Sequence, residues 1–361
     1  MMKVECTTVR QVSFPLTTPY KLSTGNKLVF EPYIVEVRAE GRTGWGECMV
    51  SPGYTTETRE GSWKALVEMA RRLQDVQVGD GYGVVAEFAQ HYPGVSSAMY
   101  GALDMLSGEP LLKTLADTHV PLLAPCQGHG ASELRDEIAA LLEQGFRTLK
   151  VKVGFDWQRD LDRVQMIQAV AAGRASLRLD ANRGFSQADG IAFASRLAPA
   201  SIELFEQPCG SDDWAANAAV AAASTVPVML DESIYGRPDI DRAARMANVG
   251  FVKLKLKKIG RVRQLAEDLQ HIRDCGMVPV LGDGVSLEIA CWMEACVGAH
   301  GIDNAGEMNG FLKARSRMLE NPLAFRDGGI HLPAGYWPRV DRDALAHHTI
   351  QEAASRRDMV H

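Results

Sequence analysis

Three carboxylates, each at the end of a short apolar run, constrain the fold of this chain more than any other feature. They are Asp180 after Leu-Arg-Leu, Glu206 after Glu-Leu-Phe, and Asp231 after Val-Met-Leu. The gaps between them are 26 and 25 residues, about the length of one strand–helix–strand unit. Carboxyl ends of successive parallel strands lie at one edge of a sheet, so we expect the acids to converge. Converging oxygen ligands suit a hard cation such as Mg²⁺.

Two runs with alternating lysines lie on either side of these acids. Residues 148–153 place Lys150 and Lys152 on one face of a predicted strand, and residues 251–257 repeat the pattern with Lys253, Lys255 and Lys257. If the apolar face packs on outer helices, the lysines point into a barrel. A solvated edge strand would produce the same alternation, and the pattern alone does not choose between them. The roles of Lys253 and Lys257 therefore stay open, and Lys258 is expected to be a loop charge.

Apolar runs and helical patterns alternate from about residue 122 onward, which predicts a parallel sheet. Strands are expected near 123–128, 148–153, 176–180, 202–206, 227–231, 251–256, 277–281 and 303–308. Eight strands are enough to close a barrel. The preceding region begins with strand patterns at 4–14 and 33–39 and continues with helical ones. We therefore divide the chain into an N-terminal domain (1–121), a barrel (122–325) and a C-terminal segment (326–361) that returns to the first domain.

Composition excludes few functions but narrows the setting. A net charge of −6 over 361 residues argues weakly against nucleic-acid binding. The seven cysteines show no Cys-x-x-Cys spacing, which is typical of reduced thiols in a cytoplasmic protein. Apolar runs of membrane-spanning length and a signal-peptide pattern are both missing from the sequence, so we expect no membrane association.

Five motifs, spread along the chain from Lys150 to Lys255, resemble those of one known family. Three resemble the metal-site motifs of the enolase superfamily, namely Asp180-Ala181-Asn182, Glu206-Gln207-Pro208 and Asp231-Glu232-Ser233. Two resemble its muconate-lactonizing-enzyme-like subgroup, namely Lys150-Val151-Lys152 and the lysine of the sixth strand, Lys255. The run Trp45-Gly46-Glu47 and residues 97–104 are similar to its capping domain. The resemblance implies an α/β fold, a modified (β/α)₇β TIM-type barrel with an α+β capping domain from the N-terminal region and C-terminal tail.

The resemblance also implies a chemistry. Members of this family remove the proton next to a substrate carboxylate, giving an enediolate that Mg²⁺ stabilises. By this resemblance Asp180, Glu206 and Asp231 are expected to bind Mg²⁺. Lys152 and Lys255 are expected to be the acid/base pair on opposite faces of the reacting carbon. We expect the like charge of Lys150, together with the metal, to lower the pKa of Lys152.

The sequence also indicates supporting roles for residues around this core. Asn182 is expected to support the ligand shell, although a turn asparagine is an equal alternative. Glu232 is expected beside the ligands rather than among them. Asp283, at the end of the seventh predicted strand, is expected to face the mouth and the substrate.

Substrate choice depends on the last strand and on two capping loops. Some dipeptide epimerases of the subgroup carry Asp-x-Asp at the end of the eighth strand, where it holds the substrate ammonium. This chain has Glu307-Met308-Asn309 there, so Glu307 either contacts an ammonium group or caps a loop, and Asn309 is a further candidate contact. The capping loops are expected at residues 20–27 and 49–56.

The preferred prediction is a racemase or epimerase of an amino-acid derivative, with a small carboxylate substrate and a homo-oligomeric assembly. Alternatives within the class are a muconate-type cycloisomerase and a syn-dehydratase of the o-succinylbenzoate or hydroxy-acid type. From another class, the chain could be an inactive carboxylate-binding relative, although pure binding needs no lysine base. A hydrolytic metalloenzyme would usually show histidine ligands, and no histidine accompanies these acids.

Overall fold

The structure is a computed structural model that describes residues 2–22, 25–52, 55 and 57–355. The predicted capping loops fall partly outside this range, since Ser23, Thr24, Gly53, Tyr54 and Thr56 are not among the described residues. The strands are β1 (Cys6–Val12), β2 (Phe14–Leu22), β3 (Gly25–Phe30), β4 (Tyr33–Ala39), β5 (Arg42–Cys48), β6 (Thr118–Pro121), β7 (Ala124–Cys126), β8 (Thr148–Lys152), β9 (Ser176–Asp180), β10 (Ile202–Glu206), β11 (Val228–Leu230), β12 (Val249–Leu254), β13 (Val278–Leu281), β14 (Ala324–Arg326), β15 (Gly329–Leu332) and β16 (Thr349–Ala354). The α-helices are α1 (Arg59–Leu73), α2 (Val78–Ala89), α3 (Pro93–Ser107), α4 (Ala131–Glu143), α5 (Trp157–Ala171), α6 (Gln187–Ala194), α7 (Trp214–Ala223), α8 (Arg237–Ala243), α9 (Leu256–Ile259), α10 (Val262–Asp274), α11 (Glu288–Gly301) and α12 (Arg342–His348).

Seven parallel strands form a curled sheet in the order β13-β12-β11-β10-β9-β8-β7. Helices follow most of these strands, as the alternation of patterns predicted. Leu149 and Val151 of β8 are fully buried on the face opposite Lys150 and Lys152. This arrangement confirms the predicted α/β class, a barrel with a separate antiparallel N-terminal sheet.

The predicted eighth strand, near 303–308, is not a regular strand, and the prediction was wrong in that detail. The segment still joins the two edges of the sheet through its backbone. Gly306 donates to Pro121 O (2.8 Å) and accepts from Leu123 (3.0 Å), while Glu307 donates to Leu281 O (2.9 Å). Because the segment pairs for only two residues, it closes the barrel without the repeated ladder that defines a strand.

The second lysine run is also shorter than predicted. β12 ends at Leu254, so Lys253 is its last inward-facing lysine and Lys255 immediately follows the strand. Lys257 lies in the one-turn helix α9, not on the strand face. The alternation of lysine and apolar residues continues past Leu254 in the sequence, but the extended backbone of the strand ends there.

The barrel interior is layered. Leu204, Met229 and Val280 form a small buried apolar cluster of their own, against which Phe251 packs. Arg178, which is opposite Leu204 in the strand register, makes a two-bond pair with Glu203 and donates to Ala305 O (2.7 Å). The candidate site residues lie above the apolar layer, at the carboxyl ends of the strands, where barrel enzymes place their active sites.

The N-terminal region forms an antiparallel sheet in the order β16-β1-β4-β5, so the chain returns to it from its C-terminal end. Helix α3 packs directly on β5. A Cβ atom at Gly46 would overlap the carbonyl oxygen of Ala98 in α3, which explains why glycine stands between Trp45 and Glu47. None of the described helices combines the length and apolar character needed to cross a bilayer.

Glu47 connects this region to the barrel. Its carboxylate accepts the backbone N–H groups of Leu287, Ile289 (3.0 Å) and Ala290 (3.1 Å) at the start of α11. Burial raises the pKa of Glu47 to about 7, despite the three N–H groups that favour its charged form. The contact therefore satisfies helix donors that would otherwise be buried without partners.

We predict that Glu47→Gln lowers the free energy of unfolding by about 1–3 kcal/mol, because its amide NH₂ must face backbone N–H groups. Urea denaturation monitored by circular dichroism measures this. Glu68→Gln, on the exposed face of α1, is the control and should change stability by less than about 0.5 kcal/mol. Equal effects of the two substitutions would show that the Glu47 contact contributes nothing specific.

Candidate active site

Three of the predicted site residues lie side by side across neighbouring strands. In the parallel register, Lys152 of β8 is opposite Asp180 of β9, and Asp180 is opposite Glu206 of β10. Asp231 directly follows β11, and its N–H donates to Gln207 Oε1 (3.0 Å). The three acids are at most 1% exposed. The fold thus brings them to the same end of the barrel.

Two lysines bridge these acids. Lys150 Nζ lies 2.8 Å from Asp180 Oδ2 and 3.0 Å from Glu206 Oε2. Lys253 Nζ lies 3.1 Å from Glu206 Oε1 and 3.8 Å from Asp231 Oδ2. Glu307 contacts both lysines, at 2.9 Å for Lys150. Lys253, whose role the sequence left open, is therefore part of the site.

The two predicted bases each contact a different acid. Lys152 Nζ is 2.6 Å from Asp180 Oδ2 and also donates to Asn182 Oδ1, and Lys255 Nζ is 2.7 Å from Asp231 Oδ2. Their side chains differ in exposure, at 38% for Lys152 and 7% for Lys255. Lys152 therefore faces open space, whereas Lys255 is enclosed.

Lys258 was expected to be a loop charge, and this was wrong. Its side chain is fully buried, and its ammonium donates to Asp231 O (2.7 Å), Asp231 Oδ1 (3.3 Å) and Ile234 O (3.1 Å). Because Lys258 lies in helix α9, its side chain returns to Asp231 at the end of β11. A run of consecutive lysines in the sequence does not reveal this contact.

Neighbouring ammonium groups lower the pKa values of two of the acids, Asp180 and Asp231. Burial would raise the pKa of Asp180, but the ammonium groups of Lys150, Lys152 and Lys253 outweigh it and hold the pKa below its usual range. Burial is likewise outweighed at Asp231, mainly by Lys255 and Lys258, so the pKa of Asp231 lies well below normal.

Three other groups at the site have pKa values that are raised rather than lowered. At Glu206, burial and the nearby Asp180 charge outweigh the lysine ammonium groups and raise the pKa of the carboxyl group. Burial would lower the pKa of Lys255, but the Asp231 carboxylate raises it. Lys150 shows the same balance, in which nearby carboxylates outweigh burial and raise its pKa. The charge of Lys150 is thus offset by carboxylates rather than standing alone beside Lys152, and its tuning role stays a prediction.

Asn182 and Glu232 lie next to the acids. The Asn182 N–H donates to Asp180 Oδ1 (2.9 Å), and its side-chain amide donates to Glu232 Oε1 (3.1 Å). Burial, followed by the Asp231 and Asp180 charges, raises the pKa of Glu232 to about 7. Its Oε2 is buried and makes no hydrogen bond within the described part of the chain.

The predicted substrate contacts are held by other side chains. Asp283 pairs with Lys257 Nζ (2.6 Å), and its N–H donates to Glu294 Oε2 (3.2 Å). Asn309 donates to Leu123 O (2.9 Å) and accepts from Lys313 (2.9 Å). Their part in substrate binding stays a prediction.

A cavity of about 220 Å³ opens beside Lys152. Its walls include polar and charged side chains as well as the phenyl ring of Phe155, and among them are Gln127, His129, Lys152, Arg163, Asn182, Glu307, Asn309 and Lys313. A cavity of this size, next to a partly exposed lysine and buried acids, can receive a small polar molecule.

Comparison with known proteins agrees with this geometry. The enolase C-terminal domain-like family matches residues 133–336. An aromatic dipeptide epimerase of Herpetosiphon aurantiacus is 30% identical over 286 residues, covering 74% of this chain and 78% of that protein. Muconate cycloisomerase 1 of Rhodococcus opacus is 27% identical, covering 89% and 91%. The chain therefore belongs to the enolase superfamily, and the predictions of the family and of an enzyme within it are confirmed.

A solved structure extends the likeness to the whole fold. The dipeptide epimerase of Cytophaga hutchinsonii, complexed with Mg and the dipeptide D-Ala-L-Val, superposes with a TM-score of 0.88 at 19% identity. The match covers 98% of this chain and 100% of that one. It therefore includes both the barrel and the N-terminal sheet.

We predict that Lys258→Met lowers the free energy of unfolding by about 1–3 kcal/mol, because it removes the buried ammonium that donates to the Ile234 carbonyl and to Asp231 Oδ1. Lys64→Met, which removes an exposed lysine of α1, serves as the control. Chemical denaturation of both variants measures the difference. A change below about 0.5 kcal/mol for Lys258→Met would show that these buried hydrogen bonds contribute little to stability.

Proposed function

We propose that this protein is a Mg²⁺-dependent racemase or epimerase of an amino-acid derivative. In this proposal Asp180, Glu206 and Asp231 hold the ion, and Lys152 and Lys255 exchange the proton next to the substrate carboxylate. The observation that carries the proposal is the placement of two lysines on opposite sides of a cluster of buried acids.

The order of the strands around the barrel explains why the two lysines lie on opposite walls. Three strands, β9, β10 and β11, separate β8 from β12 in one direction around the barrel. In the other direction β13, the closing segment at Gly306 and Glu307, and β7 lie between them. Lys152 ends β8 and Lys255 follows β12, so the two ammonium groups approach from opposite walls. A carbon between them could lose a proton on one face and gain one on the other, which is what inversion requires.

The donor set fits the proposed ion. The candidate ligands are carboxylates only, the oxygen donors that Mg²⁺ prefers. Two lysine ammonium groups bridge pairs of these acids, at 2.8–3.1 Å for the closest contacts, so the carboxylate oxygens already converge around cations. Bound there, Mg²⁺ would supply positive charge beside the substrate carboxylate and so make the neighbouring C–H bond more acidic.

The chain's own residues supply the rest. Asn182 holds Lys152 and the Asp180 carboxylate together through its side chain and its N–H. The closed wall around Lys255 excludes water from its side of the site. Lys150 and Lys253 both contact the Glu307 carboxylate and so hold it in position inside the barrel. An inactive binding relative would have no use for two lysines at these positions.

A second candidate is a cycloisomerase of the muconate type. It is favoured by the muconate cycloisomerase relative, which aligns with more of this chain than the epimerase relative does. That reaction, like a syn-dehydration, needs one base rather than two. A cytoplasmic location and a homo-oligomeric assembly remain expectations.

We predict that Glu206→Gln weakens Mg²⁺ binding at least about tenfold and lowers turnover more than about a hundredfold, because it removes one anionic ligand. Isothermal titration calorimetry with Mg²⁺ measures the affinity. Glu60→Gln, an exposed change on α1, should bind Mg²⁺ like the wild type. Unchanged affinity in Glu206→Gln would remove this residue from the ligand set.

We predict that Lys152→Ala and Lys255→Ala each stop racemisation but leave exchange of one enantiomer's α-proton with solvent deuterium. The reason is that each lysine then serves only one face of the carbon. The substrate comes from screening N-acyl amino acids and dipeptides for deuterium uptake by NMR. Lys113→Ala, an exposed change, should leave both rates unaltered.

The two variants also separate the candidate reactions. Opposite enantiomer preferences in the two variants support the two-base racemase. If only one lysine is needed for exchange and the other only for turnover, a one-base cycloisomerase or dehydratase is the better assignment. Wild-type racemisation by both variants would rule out the lysine pair altogether.

A further inference from the structure

A second group of potential metal ligands lies on the outer helices of the barrel. Asp241 is in α8, while His271 is in α10 and Cys275 immediately follows it. One ligand atom from each residue lies within 4.8 Å of the others. These residues are 30 and 4 positions apart and come together because α8 and α10 pack against each other.

The three distances converge on a point. Asp241 Oδ1 is 2.7 Å from His271 Nε2, and Cys275 Sγ is 3.7 Å from His271 Nε2 and 3.8 Å from Asp241 Oδ1. A tetrahedral zinc ion, at about 2.3 Å from sulfur and about 2.0 Å from nitrogen or oxygen, places such atoms roughly 3.3–3.6 Å apart. Both sulfur distances are already near that value. Only the oxygen–nitrogen pair would need to open, by about half an ångström.

The geometry argues against a nucleophilic Cys-His-Asp triad. In such a triad the histidine relays between its two partners through different ring nitrogens. Here both Asp241 Oδ1 and Cys275 Sγ approach the same atom, Nε2 of His271. An imidazole cannot relay a proton between two groups on one nitrogen, but one nitrogen can join an oxygen and a sulfur around a shared cation.

The site is accessible and its ligands are of the right kind. Cys275 is the only one of the seven cysteines that is not buried. Asp241 and His271 are 47% and 27% exposed at their side chains, which leaves room for a water as a fourth ligand. His271 and Cys275 are one helical turn apart, so they present the same face. Thiolate, imidazole and carboxylate together suit Zn²⁺ and not Mg²⁺.

We propose that Asp241, His271 and Cys275 form a Zn²⁺ site that joins α8 to α10. These helices follow β11 and β12, the strands that lead to Asp231 and Lys255. His271 and Cys275 lie at the carboxyl-terminal end of α10, next to the start of β13 and away from the strand ends that carry the acids. The ion therefore acts as a structural clip and takes no part in turnover.

Without an ion the thiol stays protonated. Burial and the Asp241 carboxylate raise the pKa of Cys275. Zn²⁺ binds the thiolate, so its binding releases a proton that Mg²⁺ binding to carboxylates does not.

Co²⁺ serves as the spectroscopic probe for Zn²⁺. The full-length protein is first freed of metal by a chelator and then kept in excess Mg²⁺, which occupies any oxygen-only site. Adding Co²⁺ should produce a thiolate-to-Co²⁺ charge-transfer band in the near ultraviolet, saturating at one equivalent, and Zn²⁺ should displace it. Carboxylates alone cannot produce that band.

Substitutions assign the band to these residues. Cys275→Ser should abolish it, and Cys6→Ser, at a cysteine in β1, should leave it intact. His271→Gln and Asp241→Asn should weaken Zn²⁺ binding by more than the roughly 10–100-fold that loss of an outer partner causes. Zn²⁺ should raise the unfolding midpoint of the wild type and not that of Cys275→Ser.

Two results would overturn the proposal. One is the absence of a charge-transfer band in the wild type, and the other is a band that survives in Cys275→Ser, His271→Gln and Asp241→Asn alike. Each variant's circular dichroism spectrum, compared with that of the wild type, shows that it is folded. The outcome does not depend on the reaction proposed above, because no measurement uses turnover.

Discussion

Mutual compensation of buried charges inside the barrel is the interaction on which the rest of the structure depends. Carboxylates and ammonium groups meet there with almost no exposure to solvent, and a buried ion without a partner is far too costly to keep. Glu307 shows the dependence most clearly, because its one carboxylate contacts both Lys150 and Lys253. Below the charged layer the Leu204, Met229 and Val280 cluster excludes water and so strengthens each of these pairs.

The same charges give the site its asymmetry. Lys152 is more than a third exposed and lines the cavity, whereas Lys255 is enclosed by Asp231 and the chain around α9. If Lys152 and Lys255 act as proposed, a substrate enters from the Lys152 side and reaches Lys255 from within. The enclosed wall depends on Lys258, whose ammonium holds the Ile234 carbonyl against Asp231.

Buried carboxylates that accept backbone N–H groups hold several parts of the fold together. Glu47 does so at the start of α11, and Glu57 does so at the start of α3, where it accepts from Gly94 and Val95. Glu288 accepts from Met318, Leu319 and Leu323 farther along the chain. The Glu47 and Glu57 contacts are specific in direction, because a helix start offers several N–H donors aimed at one point. These contacts and those inside the barrel therefore share one principle, a buried carboxylate matched to donors.

Sequence alone was enough to predict the strands that carry the acids. β9 and β10 run over the predicted residues, because strand periodicity and turn residues reflect local backbone preference. The spacing and the family motifs then predicted that Asp180, Glu206 and Asp231 lie at one edge of the barrel. Sequence alone did not show that residues 303–308 would close the barrel without forming a strand. It also did not show that β12 would stop at Leu254, two residues before its predicted end at 256.

Only the tertiary structure decided which side chains meet. Lys253 bridges Glu206 and Asp231, and Lys258 is buried against Asp231 as well, although both look like neighbours in one basic run. Asp241 meets His271 across 30 residues because two helices pack, and no motif links them. Periodic patterns record the face on which a residue lies within its own element. The contact across elements is set by packing and by the need to pair buried charge, which are properties of the whole fold.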